Sequence, residues 1–212
     1  MEKVTTALGG TSEKASRRRP GRRGELVQAA LEVIRRDGAS ASMEEMAAEA
    51  GITKPVLYRY FGDREGLLAA VGEQFAEGLV DRLRAAVSGQ LDEQPEVMVR
   101  LAIEAYVGFI AEDPALYGFL TRQAPPGGAA LVGVVDRVAG FIEQLIEDGL
   151  GRRGRATRPA ATFAHGIVGM VHLAGARWAR SGELGRDELV ADLASLVTYG
   201  LTGASTGVQL PR

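Results

Sequence analysis

Residues 42–68 read SMEEMAAEAGITKPVLYRYFGDREGLL, and the places where this stretch must break decide the fold. Ser42-Met43-Glu44-Glu45 has the spacing of a capping box: the serine oxygen takes the Glu45 backbone N–H while the Glu45 carboxylate returns to the serine N–H. Met43, Met46, Ala47 and Ala50 then make one apolar stripe at helical spacing. Gly51 ends this short helix, since glycine reaches positive φ without a Cβ clash. Thr53 stands where a third helix needs its cap, and Pro55 is tolerated in a first turn whose N–H groups lack intrahelical partners. Leu57 and Phe61, four apart, face inward. Gly62-Asp63 interrupts again, and Asp63 caps a long helix from Arg64 to about Val87.

Upstream, Leu26, Ala30, Val33 and Ile34 follow the same period, closed by Asp37-Gly38. Three short helices, two of them joined by a tight glycine turn, spell helix-turn-helix. Downstream, helical patterns run over 95–112, 114–123, 129–150, 159–180 and 186–203, separated by Pro/Gly loops. No strand pattern interrupts them. The expectation is an all-α chain of about nine helices: a disordered basic arm at 1–20, a helix-turn-helix domain at 21–66, and a larger helical domain at 67–212.

Composition narrows the chemistry. The 212 residues contain no cysteine and two histidines, which removes disulfide frameworks, thiol nucleophiles and thiolate metal sites and leaves a zinc enzyme improbable. No metal and no cofactor is expected. Neither a signal peptide nor a second span accompanies the uncharged stretch 159–176, whose Ala, Gly and His make it only mildly apolar. A cytoplasmic protein without membrane contact is therefore the expectation. Net charge is −2, but residues 14–23 (KASRRRPGRR) hold six cations and no anion. That arm is either a polyanion contact or a solvated tail.

Ala50-Gly51, Leu57-Tyr58-Arg59-Tyr60-Phe61 and Arg64-Glu65 agree in order and spacing with a known pattern. From Arg22 to Leu68 the chain resembles the DNA-binding segment of TetR/AcrR-family transcriptional regulators. The resemblance implies that Lys54, Pro55 and Val56 read bases, and that Ser42, Tyr58, Tyr60 and Arg64 hold phosphates. Residue chemistry agrees. Lys54, next to the capping Thr53, can donate to guanine O6 and N7, while Pro55 and Val56 offer apolar contact to thymine methyls. Tyrosine hydroxyls on phosphate set register rather than sequence. The competing reading packs Tyr58 and Tyr60 on the first helix and leaves Lys54 in solvent. Two departures stand out: Glu44 occupies a place where some members carry a base-reading cation, and Arg64 replaces the commoner lysine. Arg17, Arg18, Arg19, Arg22 and Arg23 just precede the first helix, from where they can enter a narrow minor groove or merely steer non-specifically.

The rest of the chain matches the family only as a helical effector domain. There the resemblance implies a ligand cavity and a twofold dimer on double-stranded DNA carrying an inverted repeat. Met98, Tyr106, Phe109, Tyr117, Phe119, Phe141, Met170 and Trp178 supply apolar and aromatic bulk for a small lipophilic effector, with Arg122, His165, Glu104 and Glu143 as polar anchors. Each is also a plausible core residue. Gly166, Gly169, Gly175 and Ala176, with Leu189, Leu193, Leu196, Val197 and Gly200, suit a four-helix interface between two copies or an ordinary core. His165 and His172, seven apart, are read as hydrogen-bonded structural histidines, since a metal would need further ligands. A ligand-responsive regulator, more readily a repressor than an activator, leads. An all-α enzyme lacks any phosphate loop, activated serine or carboxylate pair, and a DNA-binding protein governed by a protein partner is the third class.

Overall fold

The computed structural model describes residues 21–90, 94–123 and 129–205. Among them run nine α-helices and one 3₁₀ turn, with no strand. Helix α1 (Arg22–Asp37) buries Leu26, Ala30, Val33 and Ile34, the stripe its period predicts. A 3₁₀ turn (Gly38–Ser40) leads to α2 (Met43–Glu49), which starts on a complete capping box: Glu45 N–H donates to Ser42 Oγ at 3.3 Å and Ser42 N–H to Glu45 Oε2 at 2.9 Å. Gly51, at φ +66°, makes the turn into α3 (Lys54–Phe61). Thr53 occupies the N-cap of α3 but its side chain makes no capping bond, which corrects the sequence expectation. Its extended backbone is enough, because Pro55 removes one of the N–H groups that a cap would serve.

Asp63 does cap α4 (Arg64–Val87): Gly66 N–H donates to Asp63 Oδ1 at 2.8 Å. The turn between α3 and α4 is so tight that a Cβ on Gly66 would lie 2.0 Å from the Phe61 carbonyl oxygen. Only glycine fits there.

Four of the remaining five helices wrap α4 or each other: α5 (Pro95–Glu112), α7 (Ala129–Arg152), α8 (Ala160–Ser181) and α9 (Arg186–Ser205). Helix α4 lies against α7 and α5, α7 against α8, and α5 against α9. The α4–α7 approach is close, since a Cβ on Gly72 would sit 3.0 Å from the Ala130 carbonyl oxygen. Helix α6 (Pro114–Gln123) instead reaches back to α1 and the 3₁₀ turn. Asp113, preceding it, accepts the Leu116 N–H at 3.1 Å with one oxygen and the Arg35 Nε–H of α1 at 2.7 Å with the other. One apolar core therefore runs without a gap from Leu26 in α1 to Val197 in α9.

The stripe expected to pair two copies divides in two. Leu189, Leu193 and Val197 are buried in the chain's own core, where α9 covers α5. Gly175 is likewise internal: a Cβ there would stand 2.8 Å from the Tyr106 hydroxyl oxygen. Left outside are Leu173 (71 % exposed), Leu196 (56 %) and Tyr199 (73 %), while Gly166, Gly169 and Gly200 border open space. Among the described residues no helix is long and apolar enough to cross a membrane.

Candidate functional site

Two surfaces are candidates for function, and each holds some of the residues singled out from the sequence. On the first, α3 projects its amino end outward because Leu57 and Phe61 anchor its back in the core. Pro55 is exposed and Val56 half-buried at that end, and Tyr60 is 41 % exposed. Tyr58 is half-buried against the core with the Lys54 ammonium 5.7 Å above its ring. Both the contact and the packing readings of Tyr58 thus find support in its placement. Arg64 is exposed at the start of α4.

Lys54 is not a loose solvated cation. Its Nζ is bound to the Glu44 carboxylate of α2. That hydrogen bond holds Glu44 below the usual carboxylate range and raises Lys54 above the usual lysine value, so both stay charged around neutrality. Two N–H donors remain on Lys54, but the carboxylate offsets its charge and competes with base acceptors for its position. Ser42 is committed too, donating its O–H to Glu45 Oε2 at 2.6 Å. Of the basic arm, Arg18 and Arg19 lie outside the described residues, together with Arg17. Arg22 pairs with Glu25 at 2.9 Å and reaches the Ala50 carbonyl at 3.4 Å, and Arg23 stacks 4.9 Å over the Phe61 ring. Both stand in the first turn of α1, not ahead of it as the sequence suggested, and there they tie α1 to α2 and α3 as well as carrying charge.

The second surface is internal. A cleft with about 720 Å³ of empty space, part of it open to solvent, lies between α4, α5, α6, α7 and α8. Its walls are largely apolar, built from residues such as Phe75, Leu79, Leu83, Ile103, Val138 and Val171. At one place they turn polar. The Tyr106 and Tyr117 hydroxyls are 3.0 Å apart, and the Tyr117 hydroxyl lies 3.3 Å from His172 Nδ1. Burial pushes the Tyr106 phenol well above its ordinary value. It raises Tyr117 as well, against the opposing pull of the Tyr106 hydrogen bond and Arg180. Burial lowers His172. All three are neutral at neutral pH.

Of the ligand contacts expected from sequence, Tyr106 and Tyr117 line this cleft. The others whose side chains are described lie elsewhere. Phe119 is buried in the core away from the cleft, and Phe109 stacks edge-on against Phe75 at 5.0 Å. Phe141 sits under the Arg84 guanidinium at 5.4 Å, and the Trp178 indole N–H is taken by the Leu184 carbonyl at 2.9 Å. Met98 and Met170 are half-buried off the cleft. His165 is exposed and turned to its own helix, its Nδ1 2.9 Å from the Ala161 carbonyl. Arg122 falls in the last turn of α6, and its side chain lies outside the described residues. The sequence reading missed His172 as a lining group and the α4 row Phe75, Leu79, Leu83. That row recurs every four residues, the one signal that pointed to it.

Residues 26–71 match the family model described as bacterial regulatory proteins, tetR family, and residues 82–211 match the Tetracyclin repressor-like C-terminal domain. The chain belongs to the TetR family. It is 32 % identical over 202 residues to an HTH-type transcriptional regulator of Mycobacterium tuberculosis (Rv0472c), covering 94 % of this chain and 86 % of that one. To the HTH-type transcriptional activator FasR of Mycolicibacterium smegmatis it is 34 % identical over 124 residues, 52 % of this chain and 56 % of FasR. The solved structure of Thermus thermophilus FadR, a TetR-family transcriptional repressor in complex with lauroyl-CoA, aligns with a TM-score of 0.64 at 17 % identity. That alignment covers 90 % of this chain and 96 % of FadR. The chain is thus a TetR-family transcriptional regulator, and most of the residues lining the cleft fall within the stretch that matches the C-terminal domain. The family's members are regulators, not enzymes.

Proposed function

We propose that this regulator is a homodimeric cytoplasmic repressor that holds an inverted-repeat operator and releases it when a small lipophilic molecule fills the cleft. One observation carries the reading: the largely apolar cleft is walled by the two helices that also meet the DNA-binding helices. Helix α4 begins at the α3 turn and supplies Phe75, Leu79 and Leu83, while α6 supplies Tyr117 and Leu120 and is tied to α1 through Asp113 and Arg35. A ligand releases DNA only if it binds the DNA-incompetent arrangement more tightly than the competent one. Walls shared with the DNA-binding helices give it the means.

The dimer reading is supported by exposed Leu173, Leu196 and Tyr199 beside the open Gly166, Gly169 and Gly200. Two copies double the bases read, which one short α3 needs for specificity. The contacts we assign to DNA are bases for Lys54, Pro55 and Val56, and phosphates for Ser42, Thr53, Tyr58, Tyr60 and Arg64. Minor-groove phosphate and sugar fall to Arg18, Arg19, Arg22 and Arg23. A lipophilic effector is further supported by the lauroyl-CoA bound to FadR, a protein of the same fold.

The test is selection of bound duplexes from a random pool, with light scattering on the same preparation. A dimer and an inverted repeat are expected. Lys54→Ala should relax one position per half-site by about 1–3 kcal/mol, whereas Tyr58→Phe should weaken all sequences evenly. A monomer that ignores duplexes in dilute buffer overturns the proposal. The activator FasR supports a second reading, in which the same parts recruit rather than block. A reporter whose output falls on deletion of the gene would select it.

A further inference from the structure

Inside the cleft, four described lining residues carry polar side chains, and none carries a charge: the Thr121 hydroxyl is spent on the Tyr117 carbonyl at 2.9 Å, which leaves Tyr106, Tyr117 and His172. Their hydrogen bonds form a line from Tyr106 through Tyr117 to His172. Either hydroxyl can donate to the other, and the histidine can hold its proton on either nitrogen. When Nδ1 accepts from Tyr117, the proton sits on Nε2, for which the described residues provide no acceptor. When the line runs the other way, Nε2 becomes a free acceptor. The row can thus present a donor or an acceptor to a bound molecule. It cannot present a cation. No lysine, arginine, aspartate or glutamate lines the cleft among the described residues, and Arg180, whose charge is felt at Tyr117, is exposed on α8.

We propose that the Tyr106–Tyr117–His172 row seats an uncharged oxygen, a hydroxyl or an ester-type carbonyl, at the end of an otherwise hydrocarbon effector. This rests on the cleft being the effector site, as proposed above. A buried carboxylate would need either a counter-charge or a proton. Among the described lining residues it finds only neutral hydrogen bonds, so against them a free acid binds with a large desolvation penalty or is first protonated. An alcohol, an ester or a thioester loses nothing comparable. Its oxygen meets a matched donor or acceptor, and its chain replaces water along Leu79, Leu83, Val138 and Val171.

The experiment is calorimetric titration of the full chain at pH 7 with four probes sharing one chain length: 1-decanol, methyl decanoate, decanoate and decanoyl-CoA. Decanol or the methyl ester should bind at least about tenfold tighter than decanoate. The thioester separates a carrier-bound acyl group from a free neutral lipid: if it matches the ester, the carbonyl is what the row reads. Decanoate binding as tightly as decanol overturns the proposal, as does binding of none of the four. Duplex binding by the same preparation shows whether the regulator reading survives that outcome. Tyr117→Phe should lose most of the preference for decanol over decanoate. Should that variant fail to fold, Tyr106→Phe and the wild-type probe series decide the matter by themselves.

Discussion

The DNA-binding head (22–61) and the body it joins (64–205) are both helical, yet they are built on different kinds of information. The features that start, stop and turn the head's helices are local in sequence: a capping box over four residues, a glycine turn, two apolar side chains four apart. The body's helices are long and apolar on several sides, and their arrangement is set by which neighbour crosses where. In the head the helix boundaries follow from near neighbours, and only the pairs between helices, such as Lys54 with Glu44, do not. In the body it follows from contacts made by residues far along the chain.

The largest expected effect lies at the join. Gly66→Ala would press a methyl into the Phe61 carbonyl and should cost roughly 3–5 kcal/mol, read as a fall in the denaturant midpoint for head and body together. If head and body instead unfold in separate steps, the single continuous core does not couple them. Gly175→Ala, within the body, meets the Tyr106 ring and should cost about 1–3 kcal/mol by overpacking, with duplex affinity of the ligand-free protein unchanged. Glu44→Ala, within the head, should leave stability within roughly 0.5 kcal/mol. Freed from its carboxylate, Lys54 then brings a net positive charge to the duplex from each copy, so the slope of log affinity against log salt should steepen by up to about 0.9 per copy. An unchanged slope would mean that Lys54 already leaves Glu44 when DNA arrives. The smallest effect is titration of His172. Burial lowers its pKa, so the folded state binds fewer protons than the unfolded one. The contribution is complete above the ordinary value of 6.5 and fades as pH falls through it toward the lower folded value. Melting temperature should drop more steeply between pH 7 and pH 5 for wild type than for His172→Gln.

This contrast also explains what could be read in advance. All nine helices, the Ser42 box and the Asp63 cap were visible because each depends on residues within one or two turns. The Lys54–Glu44 pair was not, although Glu44 stood out as a departure, because it spans α2 and α3. In the cleft, bulk was a poor guide. Phe119, Phe141 and Trp178 are large, but packing and hydrogen bonds hold them elsewhere. His172 gained its place only because α8 sets it against Tyr117 of α6, fifty-five residues away in sequence. Among the α9 leucines, spacing could not tell the side that covers α5 from the side carrying Leu196.

Helix α4 runs unbroken for 24 residues from the Asp63 turn to beyond Leu83 on the cleft wall. A rod of that span is roughly 36 Å long, so a tilt of about 5° at one end swings the other by about 3 Å. One step along a DNA strand is about 3.4 Å. Under the proposed mechanism a side-chain-sized adjustment at Leu83 would therefore be geared up to the scale of a whole base pair at Asp63, and two such levers in one assembly would slip both reading tips out of phase with the duplex together.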